Sequence, residues 1–407
     1  MDLVKTGNKS NFKFQKVILL MKAFNQTLPI LLTSTLFFFA ISCSQAEDSS
    51  TENSNKKASI EQQLSKIKLP DGFKISIYAD NVPNARSMAL GANGTLFVGT
   101  RKSTLYAIVD ANKDFKADEV IKLEDDLNSP NGVAFRNGSL YVGEIDRLLR
   151  YDNIESKLKK LPKPVIIYDD YPSDRHHGHK YIAFGPDDKL YIPVGAPCNI
   201  CESKNEMFAT ITRMNPDGSG REIYAKGVRN SVGLTWHPTS KELWFTDNGR
   251  DKLGDNIPPC ELNRVSKPDQ HFGYPYCHGS DIGDPEFGHK FSCDEFTPPA
   301  RKLDAHVAPL GLKFYTGKLF PEKYQNHIFI PEHGSWNRSR KIGYRISFVK
   351  VENNKAVGYE TFAEGWLDQE EQEAWGRPVD LLIMPDGSML VSDDKLGVIY
   401  RISYIGS

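Results

Sequence analysis

Apolar and polar positions alternate through most of this chain, and one unit of that alternation returns six times. An apolar strand runs into a short polar turn, and a second strand follows that ends in small or charged residues. The six copies read SMALGANGTLFVGTR, GVAFRNGSLYVGEID, YIAFGPDDKLYIPVGA, VGLTWHPTSKELWFTDNG, LGLKFYTGKLFPEKYQNHIFIPEHG and VDLLIMPDGSMLVSDD. Their turns carry Asn93-Gly94, Asn137-Gly138, Asp187-Asp188 and Asp386-Gly387, residue types that tolerate positive φ and suit tight hairpin loops. Each copy is therefore a β-hairpin. Their spacing, roughly 45 to 50 residues at first and longer later, is that of a four-stranded propeller blade. The pattern predicts an all-β chain, a six-bladed β-propeller of four-stranded antiparallel blades over residues 64–407. A two-sheet sandwich also holds hairpins, but it does not repeat one hairpin with one turn chemistry at blade spacing. The longer intervals hold insertions such as 252–309, rich in Gly, Pro and Cys, which are expected to cover one face.

Hairpin geometry also sorts the polar residues, because the start of the first strand and the end of the second lie on the same face. The starts hold Arg86, Asn131, His176 to His179, Arg229 with Asn230, His306 and Arg377. The ends hold Arg101, Glu144 with Asp146, Asp247 to Asp251, His333 to Arg338, and Asp393 with Asp394. All of these should meet at one mouth of the central channel, with the turn residue His237 on the far side. Imidazoles that face unpaired arginines have no packing purpose, and guanidinium forks fit carboxylates bidentately, so the mouth suits an anionic ligand. Side chains alternate along an extended strand, so His176 and His177 should point apart and His179 should lie deeper. The turn TDNGRD offers carbonyl and carboxamide oxygens of the kind calcium prefers.

Composition narrows the class without changing the fold. The 407 residues are 39% hydrophobic and 25% charged with a formal net charge of −1, so no basic footprint points to nucleic acid. After Lys13, Lys16 and Lys22 the chain reads LPILLTSTLFFFAISC, too short and wrongly flanked for a membrane span and expected to be a secretory signal over residues 1–42. Met21 offers a second possible start. Ala40-Ile41-Ser42-Cys43 resembles a bacterial lipobox, which makes Cys43 the expected lipid attachment point. Residues 43–63 are polar and read as a tether. The expected location is the bacterial periplasm or cell envelope, with the membrane touched only through the lipid. Export places the remaining cysteines in an oxidising compartment. The preferred disulfides are Cys198 with Cys201 and Cys277 with Cys293, leaving Cys260 unpaired, although sequence alone leaves the connectivity open.

The segments GVRNSVGLTWHP, FTDNGRDKLGD, CELNRV and HFGYPYCHG, followed by HGSWNRS and WGRPVD, closely resemble the soluble quinoprotein sugar dehydrogenases. The likeness is to their sorbosone dehydrogenase and glucose/sorbosone dehydrogenase branch, over essentially the whole folded region. It implies a six-bladed propeller that binds pyrroloquinoline quinone (PQQ) and calcium at the channel mouth. It further implies oxidation of a sugar or sugar-derived aldehyde, with an external electron acceptor, a cytochrome or the quinone pool. Carried over residue by residue, it makes His177 the catalytic base, with His176 one register step away, and sets Arg229 and Asn230 at the quinone carbonyls. It gives the main-chain carbonyls of Gly249 and Arg250 to calcium and pairs Arg377 with a cofactor carboxylate. Val379 stands where the glucose enzymes have a second arginine, and Arg338 in SWNRSRK takes the place of their lysine, so glucose specificity is not implied. The chemistry is coherent: a neutral imidazole that removes a hydroxyl proton contributes roughly 10²–10⁴-fold, and calcium with Arg229 would stabilise charge that develops on the quinone.

Two other classes use the same mouth. A calcium-dependent hydrolase of lactonase type needs a carboxylate-rich metal cage, and a non-catalytic binding propeller needs no cofactor. Separately, DANKDFKADE sets Asp110, Asn112, Asp114 and Asp118 at calcium-loop offsets, but Phe115 takes the glycine position and Ile121 the last acidic one. It reads either as a cation loop or as an Asx turn.

Overall fold

The turn Asn137-Gly138 shows how the local pattern becomes structure. Both residues have positive φ, 48° and 79°, and the ladder that pairs Arg136 with Ser139 leaves only these two as the loop, as a type I′ hairpin requires. A hairpin begins each of the six blades, but the two-residue loop is found in blade 2 alone; in the others five or more residues separate the last paired positions. In the computed structural model, which describes residues 59–406, six sheets of four antiparallel strands form a six-bladed propeller. Their first strands are Ala85–Leu90, Gly132–Arg136, Ala183–Phe184, Leu234–Trp236, Lys313–Phe314 and Pro378–Ile383, for blades 1 to 6. Blade 3 gains a fifth strand, Gln270–His271, which runs parallel to Glu222–Lys226 and comes from the long insertion.

Blades stack face to face, so the inner strands are buried on both sides. In blade 1, Leu96 and Val98 join a cluster with Leu390 and Ile399 of blade 6, whereas Phe97 joins Val133 and Leu140 of blade 2. The period of two thus feeds two cores at once, which is why these strands read as continuous apolar runs.

The ring closes through a strand that the hairpin repeat does not contain. Phe73–Ala79 pairs antiparallel with Val398–Tyr404 and becomes the outer strand of blade 6, with Phe73 opposite Tyr404. Phe73 meets Phe320, Tyr324, Phe362 and Tyr404 edge-on, with ring centroids 4.8 to 5.4 Å apart. Phe73→Ala is expected to cost about 3 kcal/mol, near the low end for a core phenylalanine because the ring is partly exposed. Urea unfolding should show it beside Val357→Ala, an exposed site expected to stay within about 0.5 kcal/mol.

The expected tether ran to residue 63, but residues 59–64 are helical and Ile60 is 5% exposed, packed in the cluster shared by blades 5 and 6. Apolar burial therefore begins before the boundary that polarity suggested. The signal segment and Cys43 lie outside the described residues. Among the described residues no helix is long and apolar enough to cross a membrane. Both preferred disulfides are present, Cys198–Cys201 and Cys277–Cys293, with Cα separations of 6.2 and 5.4 Å, and Cys260 is a buried free thiol.

Candidate active site

The strand starts and ends of blades 1, 3, 4, 5 and 6 surround an open cavity of about 410 Å³. Its wall holds Arg86 and Arg101 from blade 1, then Arg175, His176, His177 and His179 ahead of blade 3. Arg229, Asn230, Asn248, Gly249 and Asp251 come from blade 4, His306, His333 and Trp336 from the blade 5 loops, and Arg377 from blade 6. The convergence expected from hairpin geometry is largely the arrangement found.

The histidines sit differently from the strand expectation. His176 and His177 form a turn rather than an extended strand, and His177 has φ of 51°. The alternation rule fails there. Both rings and that of His179 line the cavity, and the first two have centroids 4.1 Å apart. Lys180, buried to 1% exposure, donates from Nζ to the Gly178 carbonyl at 3.0 Å and ties the turn down.

The proton of His177 can be assigned from its partner. Nδ1 lies 2.9 Å from the Ala196 carbonyl, which can only accept, so Nδ1 carries the hydrogen and Nε2 keeps a bare lone pair. Burial, then the Arg229 guanidinium and His176, push this imidazole down to about 2. His179 is pushed down to about 3 by burial, then by Arg86 and Arg101. Both are neutral at any physiological pH. Gly195 packs beneath His177, and a Cβ there would stand 2.6 Å from the His177 Cβ and 2.7 Å from its carbonyl oxygen.

Two buried aspartates set the arginine main chains. Asp247 accepts the backbone N–H of Arg229 at 2.8 Å and that of Asn230 at 2.6 Å, and Asp393 accepts that of Arg377 at 2.9 Å. Burial and then Glu261 push Asp247 up to about 7, and burial pushes Asp393 up to about 6. Four of the five N–H groups of the Arg229 guanidinium are engaged, with Asn199, Asn248 and Asp251. Arg377 holds the carbonyls of His333 and Gly334 with Nε and Nη2, and its Nη1 has no partner among the described residues. Asp394 accepts from Arg86 at 3.2 Å, Arg101 at 3.3 Å and His333 Nε2 at 2.8 Å. Burial works against its ionisation, but His333, Arg86 and Arg101 outweigh burial and hold the carboxyl well below the usual range.

Val379 clusters with Val232 and Leu310. The latter two line the cavity, so this apolar patch lies against its floor.

One expected site residue lies elsewhere. Arg338 is held by the Asp255 carbonyl and by Asn256 Oδ1 and does not line the cavity, because its partners come from the insertion rather than from its own blade. Arg250 turns its side chain into a buried ion pair with Asp284, which leaves the role expected of its main-chain carbonyl untouched, and Asn248, Gly249 and Asp251 of that turn reach the cavity wall. Arg175 and Asn199 are site residues that the sequence reading missed. In the 110–118 loop Asp110 accepts the Phe115 N–H at 3.0 Å and Asp118 that of Ala111 at 2.7 Å, as in an Asx turn, while Asp110 Oδ1 is buried without a partner among the described residues. Among the described residues no three His, Cys, Asp or Glu side chains converge to hold a metal.

Comparison with known proteins agrees with this architecture. A protein of Borreliella burgdorferi is 34% identical over 362 residues, which span 84% of this chain and 92% of that one. Among solved structures, a Trichoderma reesei protein of carbohydrate-active enzyme family AA12 superposes with a TM-score of 0.74 at 18% identity, over 83% of this chain and 97% of that one. The holo form of the pyranose dehydrogenase PQQ domain from Coprinopsis cinerea gives 0.71 at 17% identity, with the same coverage. These two likenesses establish the fold. The TrAA12-like family matches residues 67–404, nearly the whole described region, and the chain belongs to that family.

Proposed function

We propose that this protein is a PQQ-dependent dehydrogenase that oxidises a sugar or a sugar-derived aldehyde, of the aldose or sorbosone kind. One observation carries the reading: a neutral imidazole with a bare Nε2, His177, stands in a cavity walled by Arg86, Arg101, Arg175, Arg229 and Arg377. The donor set fits a planar tricarboxylate. Arg377 has N–H groups without partners among the described residues, and Arg101 is half-exposed at the wall. The holo pyranose dehydrogenase domain of the same fold supports the choice of cofactor. The Gly249 carbonyl and the Asp251 carboxylate are hard oxygen donors at the cavity wall that would suit calcium.

PQQ, when bound, supplies the acceptor for the hydride that leaves the sugar carbon. His177 takes the hydroxyl proton at Nε2, while its Nδ1–H keeps the ring aimed through the Ala196 carbonyl. An anionic ligand beside Arg229 offsets the positive field that depresses this imidazole and so raises its basicity where the proton must move. The remaining N–H of Arg229 is free to meet developing negative charge. Electrons then pass to an external acceptor, a cytochrome or the quinone pool. Export and lipid attachment through Cys43 belong to this proposal on the sequence pattern alone.

Dye reduction by the purified protein, with PQQ and calcium supplied or withheld, over a panel of aldoses and aldehydes, tests the reading. Turnover only when PQQ is present supports it. Lactone hydrolysis without PQQ would favour the hydrolase, for which the carboxylate cage is missing among the described residues. Arg377→Ala is expected to weaken PQQ binding by about 1.5–3 kcal/mol, the scale of a charged hydrogen bond. An unchanged PQQ titration would remove Arg377 from the site.

A further inference from the structure

We infer that Asn199 is a positioning residue for both Arg229 and the Gly249–Asp251 turn, and that the Cys198–Cys201 disulfide is the covalent frame that keeps it in place. Only one of the two readouts below rests on the cavity being a PQQ site.

Asn199 sits inside the tight loop Cys-Asn-Ile-Cys. Its backbone carbonyl accepts Arg229 Nε at 2.8 Å and its side-chain Oδ1 accepts Arg229 Nη2 at 2.9 Å, so a single residue grips two corners of the guanidinium. The same amide reads the neighbouring turn. Oδ1 accepts the Asp251 N–H at 2.8 Å and Nδ2 donates to the Asp251 carbonyl at 3.1 Å. Half of the named contacts of the Arg229 guanidinium therefore run through Asn199. Arg229 is only 4% exposed, so water cannot readily replace a lost partner, and a planar fork with two corners released has other orientations open to it.

The loop that presents Asn199 has no strand or helix of its own. The bond between Cys198 and Cys201 closes it on both sides of Asn199. A second tether comes from the insertion, where the hydroxyl of buried Tyr274 accepts the Cys201 N–H at 3.1 Å. Disulfide, Asn199, Arg229 and the 249–251 turn thus form one connected unit at the cavity wall. Its position matters because Arg229, together with His176 and His179, supplies the charges and rings that face His177.

The experiment uses the full chain as apo-protein, with wild type, Asn199→Ala, Asn199→Asp and the double variant Cys198→Ser/Cys201→Ser. The first readout is the titration of His177 followed by NMR with ¹⁵N-histidine, which needs no cofactor. The second is equilibrium binding of PQQ. In Asn199→Ala the His177 midpoint should move upward as Arg229 leaves its place, and PQQ should bind roughly tenfold more weakly. Asn199→Asp keeps the oxygen that holds Arg229 and the Asp251 N–H but adds a negative charge beside Arg229, so its His177 midpoint should also move upward. The cysteine variant should shift both in the same direction as the alanine, and it decides the matter if Asn199→Ala does not fold. A merely structural Asn199 would lower the melting temperature and leave the His177 titration and PQQ affinity unchanged, which would overturn the inference. If wild type itself binds no PQQ, the cofactor reading falls and the His177 titration alone decides the role of Asn199.

Discussion

His177→Ala should fold and bind PQQ much as wild type does, yet reduce the cofactor with substrate roughly 10²–10⁴-fold more slowly, because only the proton transfer loses its base. The assignment rests on the tautomer. Ala196 fixes the proton on Nδ1, so the lone pair that can take a substrate proton is on Nε2, within the cavity wall. His176 and His179 line the same wall, so the variant series must include both. His179 lies among the charges of Arg86 and Arg101, on the side held by Asp394, and its loss should alter binding more than the rate of the chemical step. His176 is exposed and has no fixed partner among the described residues, so its substitution should have the smallest effect. Single-turnover PQQ reduction separates the three. A normal rate in His177→Ala with a slow one in His176→Ala or His179→Ala would move the base to that ring.

The second large effect should come from a methyl group far smaller than any catalytic side chain. Gly195 has an ordinary φ, so alanine is not strained there by its own backbone. The added Cβ, however, would stand 2.6 Å from the His177 Cβ, 2.7 Å from the His177 carbonyl oxygen and 3.3 Å from Asn230 Oδ1. The two nearest, a Cβ and a backbone oxygen, are not the loose end of a flexible chain. Either the histidine turn or the strand end must move, and a displacement of about 1 Å from a productive geometry costs on the order of 10²-fold in rate. Gly195→Ala should therefore lose turnover by about that factor with a much smaller change in melting temperature. Gly283→Ala, where a Cβ meets nothing within 4 Å, should be silent in the same assay. Full activity in Gly195→Ala would mean that the His177 position is not critical.

Much of the fold was legible because the hairpin is a local object. Its turn residues, its period of two and its spacing are all written within short stretches, and the six hairpins are found where the pattern sets them. The closing strand Phe73–Ala79 was not legible, since its partner Val398–Tyr404 lies at the other end of the chain and no hairpin joins them. The site divides in the same way. Arg229, Asn230 and Arg377 were readable because each stands at a strand start, with the aspartate that binds its backbone at the end of the following strand. The histidine turn was misread as strand, although Gly178 among the histidines was a signal for a turn. Arg338 was misplaced for a physical reason: its partner Asp255 lies in the insertion, and no periodicity encodes which way a long side chain swings to find a distant carbonyl. Asn199 was hidden between two cysteines that draw attention to themselves.

Whether the arginine-walled cavity is a cofactor site is settled by titrating the purified apo-protein with PQQ in excess calcium, by calorimetry, without any substrate. Saturable binding of one PQQ per chain is expected, tighter in wild type than in Arg377→Ala and unaffected by His177→Ala. No saturable binding, or binding that Arg377→Ala leaves unchanged and His177→Ala abolishes, would contradict the cavity as the seat of the cofactor.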